Sequence, residues 1–390
     1  MSADRSKFVV VGAGLAGAAT AWQLATAGHE VTVLERGVPA DSAGSSHGSA
    51  RIFRYAYPSV AYTRMVVRSW DLWRELEESS RTQLITPSGA LDFGAGREPA
   101  LLAGVLEHVG IDHELLAPAE ASHRWPQFEF DSSVLWHPGA GVIDAETSVE
   151  AMISLASTQG ARLFTGWEMS GIDRVGHGYM LHNRAGEEIH ADRVVITAGG
   201  WLPSLLGRLS LPADFLAQVP ALQVLQEQAY HFPYRDRAAP WPTFIHKDEV
   251  IGAYGLPGGR DASYQGQKVA EYCGGRAIPS AGHQDGRVDP ANRDRIVAYV
   301  ERHLPGLVPE PYAETTCVFT NTPTEDFVLD RYDGITLVSP CSGHGAKFAP
   351  LIGSLAANAA AASSVEAGRN LIPPEFLLPH RPAHHEEGAW

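Results

Sequence analysis

The chain opens with a change of pattern. Phe8–Val11 is a run of four apolar residues ending at Gly12, short enough to predict a strand buried on both faces. Gly12, Gly14 and Gly17 follow; an alanine-rich stretch then predicts a helix, and Val31–Leu34 a second strand ending at Glu35. Over residues 59–78, Tyr62, Met65, Val66, Trp70, Trp73 and Leu76 recur at helical spacing, with Pro58 and Ser59 at the start. Residues 84–144 read as short strands and turns. Asp144 predicts the cap of a helix over 145–158, whose buried face carries Val149, Met152, Ile153 and Ala156. Strand-like segments return over 161–167 and at Val194–Thr197. Residues 219–320 read as strands with one helix near Pro290–His303, and an alanine-rich helix closes the chain from about Leu351 to Val365.

This order predicts an α/β chain with β-rich insertions and no internal repeat. It divides into two discontinuous domains. One, for a cofactor, takes residues 1–84, 145–218 and 319–375; a sheet-rich one over the substrate takes 85–144 and 219–318. Residues 376–390 read as a surface tail. A length of 390 residues suits two cores.

Composition narrows the function. With 44% hydrophobic and 19% charged residues the protein is an ordinary globular one, and a formal charge of −15 disfavours nucleic acid and anionic membranes as partners. No apolar run reaches the roughly 20 residues of a membrane helix. The residues ahead of the first strand are too few for a signal peptide, so a cytoplasmic location is expected. Cys273, Cys317 and Cys341 form neither a disulfide framework nor a CxxC pair. His384, His385, Glu386 and Glu387 sit in the tail as adjacent residues pointing apart, and no metal site is expected there or elsewhere.

The glycines at 12, 14 and 17 carry the first chemistry. Between a strand and a helix they allow a tight turn, close backbone approach to a pyrophosphate, and close helix–strand packing. The helix N-terminus offers N–H groups to that anion, and Glu35 is placed to accept from a ribose hydroxyl. A second glycine-bearing strand end, Ala198-Gly199-Gly200-Trp201, comes only after a long insertion, unlike the continuous two-half domain of nicotinamide-dependent dehydrogenases.

Five segments then carry a resemblance: GAGLAG (12–17), GSSHGSARIFR (44–54), YGLP with GQK downstream (254–268), CVFTNTPTEDFVLD (317–330) and SGHGAKF (342–348). Together they resemble the monomeric sarcosine oxidase and N-methyltryptophan oxidase family of FAD-dependent amine oxidases, within the D-amino-acid-oxidase superfamily, to about residue 375. The resemblance implies a glutathione-reductase-like FAD-binding Rossmann domain with a β-sheet-rich substrate domain. It implies an 8α-S-cysteinyl link from Cys317 to FAD, where the residue alone would also suit a buried strand cysteine. Arg54 and Lys347 would clamp a substrate carboxylate, Arg51 would lie near the flavin ring, and Lys268 would activate O2, the alternative being a solvated lysine on a sheet edge. Tyr254 would wall the pocket, and Tyr272 stands where relatives often carry histidine. Flavin contacts are implied at Gly12, Ala13, Gly14, Leu15, Ala16, Gly17, Glu35, Arg36, Ser45, Ser46, Arg51, Met169, Ala198, Gly199, Trp201, Gly343, His344, Gly345 and Lys347.

The activity so implied is oxidation of a secondary or cyclic amino acid: hydride leaves to flavin N5, an imine forms, and O2 is reduced to H2O2. The enzyme would act as a monomer on a small-molecule substrate. Departures fall around the substrate. They are Tyr272 itself, Ala50 in place of a frequent threonine, and a longer loop over 258–265; a tyrosine-rich roof free of acids would suit a bulkier, cyclic or aromatic amino acid. Two further readings remain open: a flavin dehydrogenase or biosynthetic tailoring oxidase on an unusual amino-acid-like substrate, and a noncatalytic flavin-binding subunit of a complex.

Overall fold

The computed structural model describes residues 4–379. At its centre five strands run parallel in the order 162–164, 31–34, 4–11, 188–196 and 335–339. The first strand pairs Val9 with Val194 on one side and with Thr32 on the other. Its side chains alternate between two cores. Phe8 and Val10 face a layer of helices formed by Leu15–Thr26, Ala145–Thr158 and Ala349–Ala361, whereas Val9 and Val11 face Met169, Ile172, Leu181 and Leu202. Burial on both faces explains the unbroken apolar run. Antiparallel strands 169–175, 178–183 and 328–332 complete an eight-stranded sheet.

The helices begin where the sequence places their caps. Asp144 Oδ1 accepts from the Thr147 N–H at 3.0 Å, and Ser59 Oγ from Tyr62 N–H at 3.4 Å. Asp289 caps the helix Pro290–His303, with Pro290 in its first turn.

A second, nine-stranded sheet runs in the order 276–278, 223–233, 266–271, 252–257, 243–247, 90–93, 134–137 and 114–116, with 313–321 paired along 223–233. The stretch 84–144 departs from its sequence reading, since it contains the helices Pro99–Val109 and Pro118–Arg124. Leu102 and Leu106 of the first are fully buried, so tertiary packing fixes a short helix whose neighbours read as turns. The tail also begins later than expected: Phe376 and Leu378 are buried, and the Leu378 N–H donates to Asp330 Oδ2 at 2.9 Å. The four acidic and histidine residues at 384–387 lie outside the described residues. Among the described residues no helix is long and apolar enough to cross a membrane.

Candidate active site

Both sheets border one cavity of about 1030 Å³, at the upper end of the roughly 300–1,000 Å³ typical of ligand sites. One end is built by the glycine turn. Gly12 has φ +103°, and a Cβ there would stand 2.7 Å from the Thr197 carbonyl. A Cβ at Gly17 would stand 1.9 Å from the Gly12 carbonyl, so this glycine serves helix–strand packing and does not itself line the cavity. Gly14 is the N-cap of the first helix, with no side-chain cap of its own, and faces the cavity beside Leu15 and Ala16. The Leu15 N–H donates to Ser46 Oγ at 3.0 Å.

Glu35 is buried and does more than its sequence position implies. Its carboxylate accepts from Ala13 N–H at 2.7 Å and from Gly37 N–H at 2.9 Å, tying the glycine turn to the end of the second strand while remaining on the cavity wall. Ala13 is thus placed behind the wall. Arg36 stacks over the Trp201 indole at 4.5 Å, and both line the cavity with Met169, Ala198 and Gly199. The glycine cradle, the helix N-terminus and the carboxylate at the second strand's end fit the pyrophosphate and ribose of FAD.

Farther along, Arg51 is fixed by three carbonyls: Nη1 donates to Ala50 O at 2.8 Å, and Nη2 to Ser45 O at 2.9 Å and His47 O at 2.8 Å. Ser45 Oγ in turn donates to Val318 O, holding this loop against the strand that carries Cys317. Cys317 and Lys268 both line the cavity. Lys268 is only 7% exposed, which excludes a solvated sheet-edge lysine. Burial, then Arg51, pushes its ammonium down to about 8, against the opposing pull of Cys317 and Asp261. Burial also raises the Cys317 thiol, while Arg51 and Lys268 act to lower it.

A second group of cations closes the far end. Lys347, 3% exposed, donates to His344 O at 2.7 Å and to the Tyr57 hydroxyl at 3.0 Å. Arg54 lies over the Tyr57 ring at 4.7 Å and donates to Ala56 O, a carbonyl it shares with Arg97. Arg97 pairs with the fully buried Asp92 at 2.6 Å. Burial first, then the neighbouring guanidinium groups, pushes the Lys347 ammonium well below its usual range. Asp92 is already paired with Arg97, and the remaining positive charge of Arg54 and Lys347 suits an anionic group.

Tyr254, Tyr272, Phe319, Gly343, His344 and Gly345 form the remaining wall. The Tyr272 hydroxyl donates to Ser342 O at 3.0 Å. The expectation of a roof without acids does not hold: Glu325 lines the cavity, with φ +62° in a turn that directs its carbonyl to His344. Tyr57, Arg97 and Glu325 were not legible as site residues. Tyr57 lies three residues beyond the 44–54 motif and Glu325 inside the 317–330 motif, so proximity to those motifs was the available signal. Arg97 had none.

The glycine turn, the helix N-terminus and Glu35 on the wall of this cavity suit a dinucleotide cofactor. Residues 7–359 match the family of FAD dependent oxidoreductases, and the chain belongs to it. It is 32% identical over 375 residues to peroxisomal sarcosine oxidase of Mus musculus, covering 89% of this chain and 90% of that protein. It is 31% identical to monomeric sarcosine oxidase of Streptomyces avermitilis, covering 95% and 97%. Its fold superposes with a TM-score of 0.82, at 23% identity over 93% of this chain and 95% of the other, on the open form of NikD, an unusual amino acid oxidase essential for nikkomycin biosynthesis. The fold expectation and the expectation of an FAD-dependent enzyme are thereby met.

Proposed function

We propose that the protein oxidises a secondary or cyclic amino acid, with FAD bound covalently through Cys317 and O2 as electron acceptor, acting as a cytoplasmic monomer. The observation that carries this reading is one cavity lined by Arg54 and Lys347 and also by Lys268, Arg51 and Cys317. In this reading the cofactor domain comprises residues 1–84, 145–218 and 319–375, and the substrate domain 85–144 and 219–318. Gly12, Gly14, Leu15, Ala16, Glu35 and Arg36 hold the dinucleotide end, with Ser45, Ser46, Met169, Ala198, Gly199 and Trp201 alongside. Gly343, His344 and Gly345 border the ring end. Bound FAD supplies the two-electron acceptor whose reoxidation by O2 yields H2O2.

Arg54 offers a planar fork and Lys347 a point charge to the substrate carboxylate. Tyr254 and Tyr272 wall the rest of the substrate. The substrate amine must be neutral, because only a free lone pair assists departure of hydride, and the product imine is hydrolysed by water unless it is a stable ring. Lys268, held in a low-dielectric wall, stabilises the negative charge that develops on O2.

The test is a screen of N-methyl, cyclic and α-amino acids for anaerobic bleaching of the yellow chromophore and for peroxide release in air. Bleaching with peroxide by a secondary or cyclic amino acid supports the proposal. Bleaching that is reversed by an artificial dye but not by O2 would replace the oxidase by a dehydrogenase, and no bleaching by any amino acid would sink both.

A further inference from the structure

The strand Gln223–Pro233 runs antiparallel to Ala313–Asn321, and in this register Glu227 stands directly opposite Cys317. Residues directly opposite in such a pair project from the same sheet face, with Cβ atoms about 4.5–5.5 Å apart. Cys317 lines the cavity, as do Val318 and Phe319, whereas Glu227 is not a lining residue and stands beside Cys317 behind the wall, close enough to act on its thiol. Glu227 is 2% exposed. One carboxylate oxygen, Oε2, accepts from Gly275 N–H at 3.1 Å, whereas Oε1 is buried without a partner among the described residues. A buried, half-satisfied carboxylate is costly and calls for a role.

We propose that Glu227 is the proton acceptor for the Cys317 thiol when FAD becomes attached. The inference rests on the covalent attachment proposed above. The thiol proton passes to Oε1, leaving a thiolate and a neutral carboxylic acid. Sγ would then bond to the flavin 8α carbon as a C–H bond there breaks, and the two electrons left on the flavin would pass to O2 with that proton and the one held on Glu227, giving H2O2 and restoring the carboxylate.

The surroundings suit the transfer. Arg51 and Lys268 favour the thiolate, while Glu227 and Cys341 oppose it. Neutralising Glu227 as the sulfur ionises avoids two adjacent negative charges. Glu227 is pushed up to about 7, by burial first and by Glu271 as well, against the N–H groups of Gly275 and Gly274. Tyr254 and Cys273 are further ionisable groups near enough to feel its charge. Attachment therefore accelerates as pH rises to about 7 and gains nothing further above about 8, where Lys268 loses the charge that favours the thiolate.

The test uses the full-length chain from riboflavin-limited cells, supplied with FAD; acid-stable flavin on the Cys317 peptide is followed by mass spectrometry. Glu227→Gln should slow attachment about 100-fold at pH 7, within the range of general-base effects, and Glu227→Asp should restore most of it. Iodoacetamide labelling of Cys317 without FAD separates this role from a bystander charge. Removing the carboxylate eases thiol ionisation, so labelling in Glu227→Gln becomes faster while attachment becomes slower. Attachment that is unchanged, or that speeds up with labelling, overturns the inference. A wild-type chain that releases all its FAD in acid overturns the attachment itself, and this inference with it. If Glu227→Gln does not fold, the wild-type profile decides: a rate that climbs through pH 9 without a break near 7 rules Glu227 out.

Discussion

The Lys347 ammonium donates a 3.0 Å hydrogen bond to the Tyr57 hydroxyl across 290 residues of sequence, and the rest of the cluster takes its hydrogen-bond direction from that contact. Tyr57 accepts from Lys347, so its own proton goes to His344 Nδ1, 3.0 Å away, and the other ring nitrogen donates to Glu325 O at 3.0 Å. His344 must be neutral to accept at Nδ1. Burial, with Lys347 next, pushes it down to about 3, so it stays neutral throughout the working range. His344 therefore acts as a bridge between the lysine and the Glu325 turn, not as a proton carrier.

Tyr57→Phe removes the shared hydroxyl and leaves one N–H of Lys347 and one acceptor of His344 unsatisfied. A buried loss of this kind costs about 1–3 kcal/mol. The expected outcome is a KM for the amino acid raised roughly ten-fold, with FAD content unchanged. An unaltered KM would separate Lys347 from carboxylate binding.

Lys268→Met should slow reoxidation while leaving anaerobic bleaching at the wild-type rate, since the cation acts on O2 and not on the amine. Loss of a preorganised charge of this kind costs about 10²–10³ in rate. The pH dependence has a definite sign. Lys268 is held down to about 8 by burial first, so it is charged below that value and neutral above it. Reoxidation therefore falls as pH rises through about 8. Bleaching by substrate rises over the same interval, as the bound amine loses its proton. Stopped-flow traces of the two half-reactions against pH check this; parallel profiles would contradict it.

Gly343→Ala tests the pocket wall. Gly343 has φ +70°, and an added Cβ would stand 2.7 Å from Phe319 Cε2 and 2.8 Å from Tyr272 Cε2. Both rings must move, and the backbone is strained as well. Specificity should shift among substrates of different side-chain size, read as altered ratios of kcat/KM, with the flavin spectrum retained. Unchanged ratios would remove this wall from substrate recognition.

The cofactor end was legible because its chemistry is local. Strand, glycine turn, helix, strand and Glu35 follow one another within 36 residues, and each residue type answers a constraint set by its immediate neighbours. The far end was legible only through resemblance for Arg54 and Lys347, and not at all for Arg97, which reaches Ala56 O from a short helical turn after a strand of the other sheet. Nothing in the residues around 97 signals that contact, because Arg97 and Ala56 are 41 residues apart and meet only in the folded chain. The helix Pro99–Val109 was missed for a related reason. Apolar residues fill most of it, so no polar face marks a helical period, and only the burial of Leu102, Ala103 and Leu106 against the rest of the fold sets its inner side. Glu35 shows the converse: its position was legible, but its bonds to Ala13 and Gly37 were not.

The C-terminal segment was read as a tail from residue 376, and Asp330 explains why it is not. Asp330 is fully buried on the strand Val328–Tyr332; it pairs with Arg369 through both carboxylate oxygens and accepts from Leu378 N–H at 2.9 Å. One carboxylate thus fastens the short helix Val365–Arg369 and the chain beyond it to the cofactor-side sheet. Asp330→Ala leaves a guanidinium whose side chain is 17% exposed without its partner, and a buried N–H without an acceptor. Breaking one side of such a pair costs about 3–5 kcal/mol. The melting temperature should fall by roughly 5 °C or more, with the last residues becoming sensitive to protease before the rest of the chain. Asp330→Asn keeps an acceptor for Leu378 and should fall by less. If Asp330→Ala melts like the wild type, residues 365–378 contribute nothing to the stability of the cofactor-side core.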